Sequence, residues 1–206
     1  MARVLVLFAH PALEKSRVHS RLVAEAPDHP ELTFHDLYEA YPRLDIDVGY
    51  EQGLLATHDI VVLQFPFYWY STPPILKQWQ DLVLEHGWAY GSKGTALRGK
   101  TLLCIISTGG RAEAYRPGGY NRFSVRQLLA PIEQTARLCG MRFLPPWLVS
   151  GTHRMGRSEI EASAGLYTAL LRGLLEDRLH DDDESELARA ETLNRFVDAW
   201  ATEARA

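Results

Sequence analysis

The run Ile60-Val-Val-Leu-Gln-Phe65 is followed at once by Pro66 and then by Phe67-Tyr-Trp-Tyr70. A strand with one wet face alternates polar and apolar residues, so this β-branched run is expected to be buried on both faces, in the middle of a sheet. Pro66 has no N–H for a ladder and is expected to end the strand. Pro73-Pro74 suits the first turn of a helix, where the early N–H groups lack partners in any case. The aromatic residues in between leave the carboxyl end of a central strand. Four rings there make poor surface unless something flat covers them.

The rest of the chain supplies the other layers of such a sheet. With 206 residues and 46% hydrophobic content, it can bury one sizeable core, and one α/β domain is expected over residues 1–180. An acidic linker and an appended helix are expected over 181–206. A net charge of −4 argues against a general nucleic-acid binder. Cys104 lies in an apolar run and Cys139 precedes Gly140, so both read as buried reduced thiols without metal-ligand spacing. No apolar stretch approaches the roughly 20 residues of a membrane span. A cytoplasmic location is expected, with any place at the inner face of the cell membrane reached through a partner.

In chain order, Arg3 to Phe8 reads as the first strand, and Ala9 to Ser16 as a loop before an amphipathic segment reaching about Ala26. Ser16 is expected to cap that segment and leave the N–H groups of Arg17, Val18 and His19 to meet an anion. The loop has neither the GxGxxG spacing nor the Walker lysine pattern. Leu32 to Asp36 reads as a strand, Leu37 to Asp47 as a connection with few helix formers, and Tyr50 to Thr57 as a helix. From Pro74 to Glu85, the residues Ile75, Leu76, Trp79, Leu82 and Val83 recur at helical spacing, which makes Trp79 a core residue. A glycine-rich excursion from His86 to Gly99 precedes a strand over Thr101 to Ile106. In Ser107-Thr-Gly-Gly110 the glycines permit close approach of a ligand. A helix over Ser124 to Leu138 follows, then a fifth strand over Met141 to Val149 interrupted by Pro145-Pro146, and a helix over Glu159 to Leu179. His180 to Ser185 reads as a solvated acidic break. Leu187, Leu193, Phe196 and Val197 mark the appended helix.

Strands alternating with helices indicate a doubly wound parallel sheet, which binds ligands beyond the carboxyl ends of its strands. The loops after the first, third and fourth strands all emerge there. One is phosphate-sized, one aromatic and one glycine-rich. A phosphorylated planar cofactor suits them, and the strand order 2-1-3-4-5 places flavin mononucleotide (FMN) among such loops.

Several motifs occur together in order: Phe8-Ala-His-Pro11 with Ser16, Gln64 to Lys77, His86-Gly-Trp-Ala-Tyr-Gly91 and Ser107-Thr-Gly-Gly110. They resemble the flavodoxin-like NAD(P)H:quinone oxidoreductases. His35-Asp-Leu-Tyr38, Tyr41-Pro42, Gly87 to Gly99, Ala114-Tyr-Arg116 and Asn121-Arg122 resemble most the ancillary proteins of glutathione-regulated potassium-efflux systems. The resemblance covers about residues 3 to 150. It implies a flavodoxin-like three-layer sandwich with a five-stranded parallel sheet and an appended C-terminal helix.

It further implies FMN contacts at His10, Ser16, Arg17, Val18 and His19 around the phosphate and ribityl chain, although the family often has a smaller polar residue in place of His19. Phe67, Tyr68, Trp69 and Tyr70 would line one side of the ring system, with Ser107, Thr108, Gly109 and Gly110 against its other edge. NADH or NADPH would deliver a hydride to the flavin, and a quinone would take two electrons from it. Tyr115 matches a tyrosine that assists charge development in related reductases. Asn121 stands where those reductases have a histidine, so no tyrosine–histidine relay is expected. A homodimer is implied, with Trp88 and Tyr90 in a loop placed to cross its interface. The second reading is a regulatory subunit docking on a potassium-efflux antiporter. A simple electron carrier suits the long aromatic and glycine-rich loops less well.

Overall fold

Side chains alternate across the two faces of a strand, and where both sets are apolar the sheet needs helices on both sides. The computed structural model, which describes residues 1–180 and 184–203, has that arrangement. The strands are β1 (Val4–Phe8), β2 (Leu32–Asp36), β3 (Ile60–Pro66), β4 (Thr101–Thr108), β5 (Arg142–Phe143) and β6 (Trp147–Ser150). All pairings are parallel, in the order β2-β1-β3-β4-β5, with β6 also on β4. β3 is buried throughout, as a central strand requires.

The helices are α1 (His19–Ala24), α2 (Leu37–Ala40), α3 (Val48–Thr57), α4 (Pro74–Val83), α5 (Val125–Leu128), α6 (Ala130–Leu138), α7 (Arg157–Leu175), α8 (Glu184–Arg189) and α9 (Asn194–Glu203). Leu5, Leu7, Val61, Leu63, Cys104 and Ile106 meet α3, α4 and α6 on one face. Val4, Val6, Val62, Leu103, Ile105 and Trp147 meet α1, α7 and α9 on the other. Both cysteines are buried and free. The part of the expected acidic break at residues 181–183 lies outside the described residues.

The differences from expectation have local causes. β3 runs one residue further, through Pro66. Phe67 N–H donates to the Ser107 carbonyl (2.9 Å) and Ala9 N–H to that of Gln64 (2.9 Å), so even positions at this end face β1. Since β1 ends at Phe8, opposite Gln64, the N–H missing at Pro66 costs no ladder bond. The connection after β2 contains the short α2, because the Asp36 carboxylate accepts from the N–H groups of Tyr38 (2.9 Å) and Glu39 (3.3 Å). The helix expected over 124–138 divides at Leu129, just before Pro131. Pro145-Pro146 splits the fifth strand into β5 and β6. The helix expected to reach Leu179 ends at Leu175, and Asp177 follows in the left-handed region (φ 61°).

Two features brace the layers. Glu51, fully buried on α3, accepts hydrogen bonds from His35 Nε2 (2.7 Å), the Tyr41 hydroxyl (2.6 Å) and Trp79 Nε1 (2.8 Å). Burial alone would raise its carboxyl pKa, but these donors outweigh burial and hold it below its ordinary value. At the other end, α9 packs on α7, where a Cβ at Gly173 would lie 2.5 Å from the Trp200 ring. Asn194 donates to the Leu148 carbonyl (2.8 Å) and accepts from its N–H (3.0 Å), so a side chain occupies the outer edge of β6.

Candidate functional site

At the carboxyl ends of β1, β3, β4 and β6 the loops enclose a cleft of about 530 Å³. A larger groove of about 640 Å³ lies beside α9, but its charges pair with one another, as in Arg178–Glu203 (3.0 Å) and Arg195–Glu186 (2.5 Å). The first cleft is the one that lies at the carboxyl ends of the strands and combines cations, donors and aromatic rings. Among the described residues, no three His, Cys, Asp or Glu side chains are grouped to hold a metal, and no helix is long and apolar enough to cross a membrane.

One end of the cleft is rich in donors and cations. Lys15, Ser16, Arg17 and Val18 line it. The Arg17 guanidinium is held by the Met155 carbonyl (2.8 Å). The backbone N–H groups of Arg17 and Val18 have no partner among the described residues. That of His19 donates to Ser16 Oγ (3.0 Å), so the cap uses one of the three donors expected to meet an anion. His10 is buried at the back of the cleft, and its Nδ1 accepts from Ala12 N–H (3.1 Å), which places its proton on Nε2. Burial lowers its pKa, with Glu14 opposing, so His10 is a neutral imidazole and the cationic side chains at this end are Lys15 and Arg17. His19 does not line the cleft. It lies behind, 1% exposed, with Nε2 2.8 Å from Ser107 Oγ. Burial, and secondarily His10, lowers its pKa to about 3.

The aromatic loop forms the wall opposite. Phe67 is buried, Tyr68 half-exposed, and Trp69 is 92% exposed. Trp69 and Tyr70 both adopt left-handed backbone, φ 50° and 64°, which is costly for bulky residues. Two tethers support this conformation: Ser71 N–H donates to the Tyr68 carbonyl (3.1 Å), and the Tyr70 hydroxyl donates to Asn121 Oδ1 (3.0 Å). Tyr70 thus turns from the cleft toward the loop after β4. In that loop Ser107 and Gly109 face the cleft. Thr108 is buried and donates to the Gly110 carbonyl (2.8 Å). Gly110 lies under the Tyr115 ring. Burial raises the Tyr115 phenol pKa, and its hydrogen bonds with Thr108 and Asn121 oppose the rise. Trp88 and Tyr90 pack against the core of their own chain.

Lys15, Thr152 and His153 line the cleft as well and were not among the expected site residues. Lys15 sits inside the loop read as phosphate-sized. Gly151-Thr-His153 follows the last strand at the same carboxyl end, which was the available signal. Gly151 N–H donates to the Gly110 carbonyl (2.8 Å) and Thr152 N–H to that of Thr108 (3.1 Å), so the two loops form one floor. The bare Cα of Gly109 lets the His153 ring lie against it; a Cβ there would be 2.2 Å from Nε2.

This geometry suits a ligand with a negative terminus and a flat body, and the known proteins similar to the chain fit it. A family model described as flavodoxin-like fold matches residues 2–171. An uncharacterized NAD(P)H oxidoreductase, YrkL, of Bacillus subtilis is 44% identical over 162 residues, 79% of this chain and 93% of that protein. The glutathione-regulated potassium-efflux system ancillary protein KefG of Cronobacter sakazakii is 42% identical over 166 residues, 81% of this chain and 90% of that one. Among solved structures, general stress protein 14 of Treponema denticola, in complex with FMN, is 43% identical, with a TM-score of 0.79 over 84% of this chain and 99% of that chain. With the family model spanning most of the sequence and such relatives covering about four-fifths of it, the chain belongs to the flavodoxin-like fold family (Flavodoxin_2).

Proposed function

We propose that the chain is an FMN-dependent NAD(P)H:quinone oxidoreductase. The observation that carries this reading is a single cleft joining a cationic, donor-rich end to an aromatic wall. Lys15, Arg17 and the free N–H groups of Arg17 and Val18 suit a phosphate dianion. Phe67, Tyr68 and Trp69 suit the face of a tricyclic ring, and Gly109 leaves room beside its edge. When bound, FMN supplies the two-electron chemistry that carries a hydride equivalent from NADH or NADPH to a quinone.

The protein binds and orients. His10 offers a neutral Nε2–H donor, Trp69 covers the ring system, and Ser107 with the backbone at Gly109 and Gly110 stabilises negative charge on it. Thr108 and Tyr70 act from behind, Thr108 by bracing Gly110 and Tyr70 by tethering the aromatic loop to Asn121. Tyr115 has a binding role against Gly110. Exposed Trp69, and exposed Tyr120 and Phe123 in the segment after β4, support a homodimer that covers them. The KefG relative supports a second reading, an ancillary subunit on a potassium-efflux antiporter at the inner face of the membrane.

Anaerobic mixing with NADH or NADPH, followed by a small quinone panel, tests the enzyme. Bleaching of the flavin band by a nicotinamide and its return with a quinone are expected. Protein that neither carries nor takes up FMN would sink the reading. Flavin-free protein that still binds and opens an antiporter would favour the second one.

A further inference from the structure

We propose that His19 is a positioning residue that acts through Ser107, fixing the Ser107 hydroxyl as a hydrogen-bond donor to the flavin. This rests on the FMN reading above. Ser107 lines the cleft and His19 does not. The imidazole is sealed behind the serine with Nε2 2.8 Å from Oγ, while its Nδ1 is buried with no partner among the described residues.

That asymmetry decides where the protons sit. With the proton on Nδ1, a buried N–H would point at nothing, which is rarer and more costly than an unpaired acceptor. His19 therefore carries its proton on Nε2 and donates it to Ser107 Oγ. The serine hydroxyl, having accepted from behind, turns its own proton into the cleft. An oxygen that accepts one hydrogen bond donates a second more strongly, so the pair delivers a polarised O–H to an acceptor atom of the ligand. The histidine thereby sets the direction of the serine hydroxyl.

The test begins with wild-type apoprotein. Long-range proton–nitrogen correlation NMR reads the tautomer directly, and Nε2–H is expected; Nδ1–H would overturn the proposal without any variant having to fold. Next, FMN affinity by fluorescence titration and the flavin midpoint potential are compared for wild type, Ser107→Ala, His19→Phe, the double variant and His19→Gln, with apoprotein melting as a folding control. Ser107→Ala is expected to weaken FMN binding about tenfold, as the loss of one good hydrogen bond does, and to lower the potential. His19→Phe should do the same, and the double variant should be no worse than either. His19→Gln, whose amide nitrogen replaces Nε2, should restore much of both. Additive losses, or an unchanged Ser107→Ala, would overturn the pairing while leaving the FMN reading intact. Wild-type protein without FMN affinity would instead overturn that reading and the ligand named here with it.

Discussion

Two tryptophans ten positions apart in the sequence do opposite things. Trp69 is 92% exposed over the cleft, whereas Trp79 is 2% exposed and donates to the buried Glu51. Trp69→Ala should weaken FMN binding with little change in melting temperature. Trp79→Ala should cost about 3–5 kcal/mol in urea unfolding, through the cavity and a carboxylate short of one donor. Equal FMN affinity in Trp69→Ala and wild type would remove the aromatic wall from the site. The contrast was legible, since Trp79 recurs at helical spacing with Ile75, Leu76 and Val83, whereas Trp69 sits between prolines. The Glu51 cluster was not, because its donors lie 10, 16 and 28 residues away and only the fold assembles them. Its titration follows. Since the folded pKa lies below the ordinary 4.5, the stabilisation is complete above about pH 4.5 and declines as the pH falls through the folded pKa. Stability measured from pH 6 to pH 3 should fall, and Glu51→Gln should flatten the slope. An unchanged slope would show that the acid sensitivity arises elsewhere.

At the scale of elements, the strands were plain in the sequence because β1, β3 and β4 are predominantly apolar runs, and their parallel order follows from the intervening helical segments. The breaks were harder to read. Pro145-Pro146 marked an interruption, yet the pairing of both halves with β4 depends on register. α2 was hidden because its capping Asp36 also ends a strand. The floor of the cleft was half legible: Ser107-Thr-Gly-Gly110 announced itself, while Thr152 and His153 became site residues only when β6 set them beside it. Their contact gives a prediction. Gly109→Ala places a methyl where the exposed His153 ring now lies, and that ring can swing outward. FMN affinity should therefore drop severalfold, by about 1 kcal/mol, while the melting temperature stays near wild type. A large loss of stability with unchanged affinity would show that Gly109 matters for the fold and not the ligand.

Over the whole molecule, each face of the sheet has its own helices. The family match ends at residue 171, but Leu193, Phe196, Val197 and Trp200 beyond it are buried against α7 and β6. The sequence marked Leu187, Leu193, Phe196 and Val197 as one appended helix without showing what they would cover; the structure divides that helix into α8, which carries Leu187, and α9, with Leu193 just before it. Asn194, bonded to both the N–H and the carbonyl of Leu148, has a consequence for solution behaviour. A bare parallel edge is a template on which another chain can add a strand, and proteins that bury such an edge resist aggregation. Cutting the chain after residue 180 would uncover that edge together with the apolar bed of α9. The shortened protein should form light-scattering aggregates on mild warming, and Asn194→Ala in the full chain should do so more slowly. A shortened protein that stays monodisperse would assign the edge no such role. If the shortened protein does aggregate, the C-terminal helix is a built-in chaperone for the sheet it closes.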